Sequence, residues 1–293
     1  IYNDAIFHSQ NLVKGHYMIH IVTDSTSDLN PEMIQKYDIG VVPLVVTVQE
    51  KTYRDQIEIN IEELFRSVKE TGQLPKTAAP AVTEFHRLFD RPGEVIFIGI
   101  SSQLSATVQN AILAADTLGK PVRVIDSLNL STGAGHLVML AAELREQGCD
   151  ADEIERVVRS TIPKLRSSFT VDTLDYLYKG GRCTAIESVM ASLLKIRPVI
   201  EVKPNGALGV KEKLRGSRSK ALNAMLQAFQ ADLENMDRHR VFITHTGCHA
   251  DAEYLRAEIA RMAPIEELDI TLAGCVIASH CGPDTIGILY RVK

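Results

Sequence analysis

The stretch Glu94 to Asp126, EVIFIGISSQLSATVQNAILAADTLGKPVRVID, decides the fold class. It opens with EVIFIGI, a continuous apolar run of strand length, as expected of a strand buried on both faces. A polar turn, SSQLSA, follows. TVQNAILAADTLG then spaces its apolar residues as a helix does and closes on Gly119, a helix C-terminal signal. PVRVID is a second strand. Strand, helix and strand in direct succession form the βαβ unit, which implies a parallel sheet with helices on its faces.

Working upstream, Ile19, Ile21 and Val22 form a strand that ends at Asp24. DSTSDLNP leads from it into a helix with Asn30 as N-cap and Pro31 at the first helical position. A strand is expected over 41–48. Asn60 caps the next helix, with Glu63 placed for a capping box and Gly72 at its end, and a further helix begins at Pro80. Downstream, SLNLSTGAG precedes a helical pattern from Leu137 to Gln147.

The rhythm changes after about residue 165. SSFTVDTL, RPVIEV and LGVKEKL read as strands, with PNG as a hairpin turn between the last two. A helix from about Ser217 to Met236 follows, then VFITHT, a helix from about Ala250 to Met262, and two closing strands around HCGPDTIG. The expected fold is α/β in two lobes: a mainly parallel N-terminal lobe over 18–165 and a mixed α/β C-terminal lobe over 166–293. Length agrees, since 293 residues is near the limit for one hydrophobic core. Residues 1–17 lack the basic and apolar regions of a signal peptide and read as a leader or extension.

Composition narrows the function classes. A net charge of -5 supplies no uniformly basic surface for phosphates, which argues against a dedicated nucleic-acid binder. No apolar run reaches the length of a membrane span. Five cysteines without CxxC pairing suit a reducing compartment, so a cytoplasmic location is expected.

Two polar turns lie at the carboxyl ends of parallel strands, where open α/β sheets bind ligands: Asp24 to Asp28 and Ser101 to Ser105. Their hydroxyls and free N–H groups suit a carboxylate or phosphate, although any single serine there is more commonly a helix cap. Enzymatic motifs are missing. GISSQ lacks the second glycine of a nucleophile elbow, GAGHLV lacks the third dinucleotide-binding glycine, and no P-loop occurs. Thr26 stands where a magnesium-phosphatase motif would carry a second aspartate. His245, Cys248 and His249, with His280 and Cys281, are the candidate metal ligands, but their spacing matches no zinc pattern. Cys248 and Cys275 read as buried core residues.

Several segments in order resemble the DegV family of bacterial fatty-acid-binding proteins: DST-x-DL at Asp24 to Leu29, PKTAAP at Pro75 to Pro80, ISSQLSATVQNA, VDTLDYLYKGGR at Val171 to Arg182, and HCGPDTIGILY. The resemblance covers the chain from Met18 onward. It implies a two-domain DegV-like fold with a long-chain fatty acid buried between the lobes. Its carboxylate would be held by Thr77, by Ser101 or Ser102, and by His280, with no cofactor and no metal. It also implies that Arg215, Arg218 and Lys220 face a kinase or membrane partner. This chain departs from the family pattern with Ala78-Ala79, Ala106, Val108 and Asp284, substitutions expected to bear on pocket shape and on charge near the carboxylate.

The leading expectation is a carrier, not an enzyme, which binds the fatty acid and presents its carboxylate to a separate fatty acid kinase for acyl-phosphate formation. Transient contact with a membrane surface would supply the acid. A buried carboxylate needs several donors, and Ser, Thr and a protonated His provide them without an activated nucleophile. The alternatives are a metal-assisted hydrolase using His245, Cys248 and His280, and an interaction module whose polar turns are only caps.

Overall fold

The computed structural model describes residues 18–183 and 196–293, so the leader reading of 1–17 lies outside the described residues. A four-stranded parallel sheet has the order β2-β1-β6-β7. Its strands are β1 (Ile19–Asp24), β2 (Gly40–Val42), β6 (Glu94–Gly99) and β7 (Val122–Asp126). Successive side chains of a strand point to opposite faces, and β1 shows the consequence. Val22 joins Phe85, Phe89 and Phe97 under helices α3 (Val82–Phe89) and α4 (Thr107–Leu118). Ile21 joins Leu137, Val138 and Ile154 under α5 (Thr132–Glu146) and α6 (Ala151–Thr161).

A six-stranded mixed sheet follows in the order β10-β9-β8-β13-β11-β12. These strands are β8 (Leu165–Thr170), β9 (Ile196–Val202), β10 (Leu208–Arg215), β11 (Met236–His245), β12 (Glu267–Leu272) and β13 (Ile286–Val292). Only β11 and β12 pair in parallel, joined by helix α9 (His249–Met262); the other neighbours are antiparallel. Helices α8 (Arg218–Asp232) and α9 cover one face around Phe229, Val241 and Leu255. On the other face, Phe242 and Leu289 join the cluster that holds α5. Helix α5 therefore packs between two sheets, and its residues from Thr132 to Met139 are all buried. Such a helix has no polar face to read. That explains why its visible pattern begins only at Leu137.

The expected strand over 41–48 is two strands. Pro43 cannot donate to a ladder, and the chain leaves the parallel sheet there. Val45–Val48 becomes β3, the centre of a three-stranded antiparallel sheet with β4 (Lys51–Arg54) and β5 (Lys76–Ala78). Helix α2 (Ile61–Thr71) does carry the Asn60 cap, whose side chain accepts the Glu63 N–H at 2.9 Å. The segment before HCGPDTIG also differs from expectation. Between β12 and β13 runs a short helix, α10 (Cys275–Cys281), which packs its Cys275, Val276 and Ala278 against Leu44, Val46 and Leu64. The small sheet thus meets the C-terminal end of the chain. No helix among the described residues is long and apolar enough to cross a membrane.

Candidate functional site

Thr77 sits on β5, fixed by its pairing opposite Val46. His280 sits on the last turn of α10. The small sheet brings them together, and Thr77 Oγ1 lies 2.7 Å from His280 Nε2. Both line a cavity of about 180 Å³ whose remaining wall includes Leu44, Ile100, Leu104, Leu177, Ser105 and Arg182. A second, smaller chamber of about 30 Å³ lies deeper and shares Leu130, Ile277 and Cys281 with the first. The two chambers adjoin at these residues, and both are mainly apolar with a few polar groups, the usual make-up of a small-molecule site.

Burial, reinforced by the Arg182 charge, pushes the His280 pKa down to about 4, so the ring is neutral at physiological pH. Burial thus works against the imidazolium form considered above. Its Nδ1 is buried and has no hydrogen-bond partner among the described residues. A neutral imidazole carries one N–H. If Nε2 bears it, His280 donates to Thr77 Oγ1 and leaves the Thr77 hydroxyl free to donate elsewhere. Arg182 supplies the nearby positive charge. Its Nη1 donates to the Gly180 carbonyl at 2.7 Å, and no carboxylate pairs with it among the described residues. Ser105 Oγ is 2.8 Å from Thr107 Oγ1.

The two serines expected at the carboxylate, Ser101 and Ser102, are not among the residues that line this cavity. Ser101 is fully buried, and its hydroxyl donates to the Gly206 carbonyl at 2.9 Å, tying its turn to the β9–β10 hairpin. Ser102 is exposed, with its N–H 3.2 Å from an Asp126 carboxylate oxygen. Neither lines the cavity, whereas Ser105 and Arg182 do. Sequence reasoning held Ser105 within its polar turn without singling it out, and it passed over Arg182, which lies inside the VDTLDYLYKGGR segment. Of the departures from the family pattern, Ala78, Ala79 and Ala106 line the cavity, while Asp284 is exposed and does not.

The DSTSD turn has a role that the sequence did not reveal. Asp24, Asp28 and Asp55 are all buried, and each accepts backbone N–H groups. Asp24 accepts from Ile100 at 2.8 Å and Asp28 from Gly274 at 2.8 Å. Asp55 accepts from Cys275 at 2.7 Å and Val276 at 3.3 Å. Asp55 also takes the Ser25 hydroxyl at 2.7 Å, and Ser25 Oγ accepts the Leu44 N–H at 3.1 Å. Leu44, Ile100 and Val276 all line the cavity. The turn and Asp55, joined through Ser25, therefore grip three walls of the site and the amino end of the helix that carries His280. Burial raises all three carboxyl pKa values, that of Asp55 to about 6, and mutual repulsion adds to the effect at Asp28 and Asp55.

Among the basic residues, Arg215 and Lys220 are exposed. Arg218 instead turns inward, with Nε 2.5 Å from an Asp251 oxygen. The proposed metal ligands are dispersed. His245 and His280 line different chambers, and Cys248 donates to the Thr285 carbonyl at 3.4 Å with its thiol pKa pushed up to about 11 by burial. Among the described residues, the acidic and histidine side chains close enough to share an ion are Glu143, His239 and Glu267. Arg240 already bridges both of those glutamates.

Comparison with known proteins adds the family. The model of the uncharacterised-protein DegV family matches residues 18–293. A DegV domain-containing protein from Caldanaerobacter subterraneus is 33% identical over 280 residues, covering 94% of this chain and 99% of the relative. A DegV family protein from Thermus thermophilus that binds fatty acid superposes with a TM-score of 0.89 at 34% identity, covering 94% of this chain and 99% of that one. A stearic-acid-binding protein from Eubacterium ventriosum superposes with a TM-score of 0.85 at 27% identity, covering 94% and 98%. With matches that run nearly end to end in sequence and in three dimensions, this chain belongs to the DegV family.

Proposed function

We propose that this chain binds one long-chain fatty acid in the two adjoining chambers and presents its carboxylate to a separate fatty acid kinase. The observation that carries the reading is the Thr77–His280 pair at one apolar cavity with Arg182, whose charge no carboxylate answers among the described residues. A carboxylate there would accept from Thr77 and meet the Arg182 charge, while the aliphatic walls take the tail. Ser105 is a further candidate donor; Ser101 and Ser102 would support the turn from outside the cavity.

A hydroxyl beside a histidine also describes a nucleophile with its general base. Two features argue against that chemistry. A ring whose pKa is near 4 is a weak base at neutral pH, and its Nδ1 has no orienting carboxylate among the described residues. Binding uses the same atoms without proton transfer. We assign acyl-phosphate formation to the partner, because the sequence has no P-loop to hold ATP. Arg215 and Lys220 remain available to steer that partner or an anionic membrane surface, and Arg218 serves the fold.

The test is to denature purified protein, extract it with organic solvent and identify any released acid by mass spectrometry. A long-chain fatty acid in near-stoichiometric amount is expected. Protein that releases none and also refuses added fatty acid would sink the reading. Acyl phosphate made by this chain with ATP alone would overturn the carrier role.

A further inference from the structure

The deeper chamber is mainly apolar although hydroxyl residues surround it, because most of their oxygens are engaged with the protein; Ser167 Oγ is the exception, buried with no partner among the described residues. Ser131 donates to Asp28, Thr246 to the Gly282 carbonyl and Thr285 to the Cys281 carbonyl. Thr244 Oγ1 lies between those of Thr132 and Thr271, at 2.6 and 2.8 Å. A hydrocarbon tail entering past Leu130 and Ile277 would meet no unpaired oxygen of these four side chains.

His245 closes one side of this chamber. The same residue also lines an open surface groove with Asn30, His249 and Leu272, so a single residue borders both spaces. His245 is only 6% exposed. It is also held in place. Its backbone pairs with Leu272 on one side and Ile286 on the other, and its Nδ1 accepts the Gly247 N–H at 3.0 Å. Elsewhere the chamber approaches a second groove at Ser167, Ser168 and Val202. That partition includes the paired backbone of β8 and β9, where Ser168 stands opposite Glu201. Three residues are shared on that side against one at His245, so trimming Val202 alone leaves Ser167 and Ser168 in place.

We infer that His245 is the stop at the tail end of the acyl tunnel and sets the longest chain that binds well. The inference rests on the fatty-acid reading above. Shortening this side chain joins the deeper chamber to the outer groove and lets extra methylenes pass, each gaining about fourfold in affinity, equivalent to ~0.8 kcal/mol, to the extent that it is buried.

The experiment measures dissociation constants of delipidated protein for saturated fatty acids of increasing length. In the wild type, affinity should rise with length and then fall at a ceiling. His245→Ala should move that ceiling to longer chains, with His245→Ser replacing it if the alanine variant does not fold. His245→Phe, which keeps the wall but removes the imidazole nitrogens, should retain the wild-type ceiling, as should Val202→Ala. An unmoved ceiling in a folded His245→Ala or His245→Ser variant overturns the stop, and so does a ceiling raised by Val202→Ala alone. Wild-type protein that binds no member of the series removes the fatty-acid reading itself, a failure visible before any variant is made.

Discussion

The DSTSD clamp and the Thr77–His280 corner are built from similar polar side chains at the ends of strands, yet they differ in how far those side chains are satisfied. In the clamp, Asp24, Asp28 and Asp55 each accept at least two hydrogen bonds from the protein itself. At the corner, among the described residues, His280 has one bonded nitrogen and one without a partner, and Arg182 donates to the Leu104 and Gly180 carbonyls and to no carboxylate. A buried polar group costs free energy until it is paired. A network completed within the protein therefore reads as structural, and an incomplete one beside an apolar cavity reads as awaiting a ligand.

The largest effect should come from breaking the clamp. Asp28→Ala removes the acceptor of the Ser131 hydroxyl and the Gly274 N–H, and it places alanine at φ 50°, where aspartate is better tolerated. We expect a loss of about 3 to 5 kcal/mol in urea unfolding, from two orphaned donors plus backbone strain. A variant as stable as the wild type but unable to bind fatty acid would reverse the contrast between the two regions.

Titration sharpens the same contrast. Asp55 has its pKa raised to about 6 in the folded protein, so between its unfolded value and pH 6 the native state holds the extra proton. Its contribution to stability is full below the unfolded pKa and is lost as pH rises through about 6. The Asp55→Asn variant mimics the protonated acid at every pH. Wild-type stability minus that of Asp55→Asn should therefore fall by up to about 3 kcal/mol between pH 4 and pH 7 and level off above. A difference that rises over this range would show that the N–H donors, not burial, govern this carboxyl.

The corner should respond in binding and not in stability. Thr77→Ala should weaken fatty-acid binding by about 1.5 to 3 kcal/mol, the worth of a hydrogen bond to a charged oxygen, with little change in melting temperature. Because His280 is already neutral well above pH 4, wild-type affinity should stay level from pH 6.5 to 8.5. An affinity that falls through the ordinary histidine range would restore the charged role.

How much of this was legible follows the physics of each segment. The parallel sheet was readable because buried strands and amphipathic helices alternate with strong signals, as in Glu94 to Asp126. The small sheet was not, since β3, β4 and β5 are only three or four residues long and β4 is largely exposed. Helix α10 was hidden for another reason. It has seven residues and Gly274 at its N-cap, and its first N–H groups are satisfied by Asp28 and Asp55, far away in sequence. The same distance concealed the role of the DSTSD turn. Thr77 and His280 emerged through family resemblance, whereas choosing Ser105 over Ser101 required knowing which side of the turn faces the cavity.

The smallest effects fall on the two serines of that turn, and they discriminate most finely. Ser101 is buried and bonded to the Gly206 carbonyl, and Gly206 has φ 84°. The hydroxyl also accepts the Gln103 N–H at 3.2 Å, so losing two neutral hydrogen bonds should lower the stability of Ser101→Ala by about 1 to 3 kcal/mol and leave its affinity for fatty acid near that of the wild type. Ser102 is exposed and makes its polar contact through its backbone, so Ser102→Ala should change stability by no more than about 0.5 kcal/mol and affinity not at all. Ser105→Ala is the informative partner, because Ser105 lines the cavity. Calorimetric binding of one fatty acid to the three variants gives the ranking directly. If Ser101→Ala or Ser102→Ala loses more affinity than Ser105→Ala, the turn must rearrange when ligand enters, and the division between a completed clamp and an open corner would no longer hold at this edge of the site.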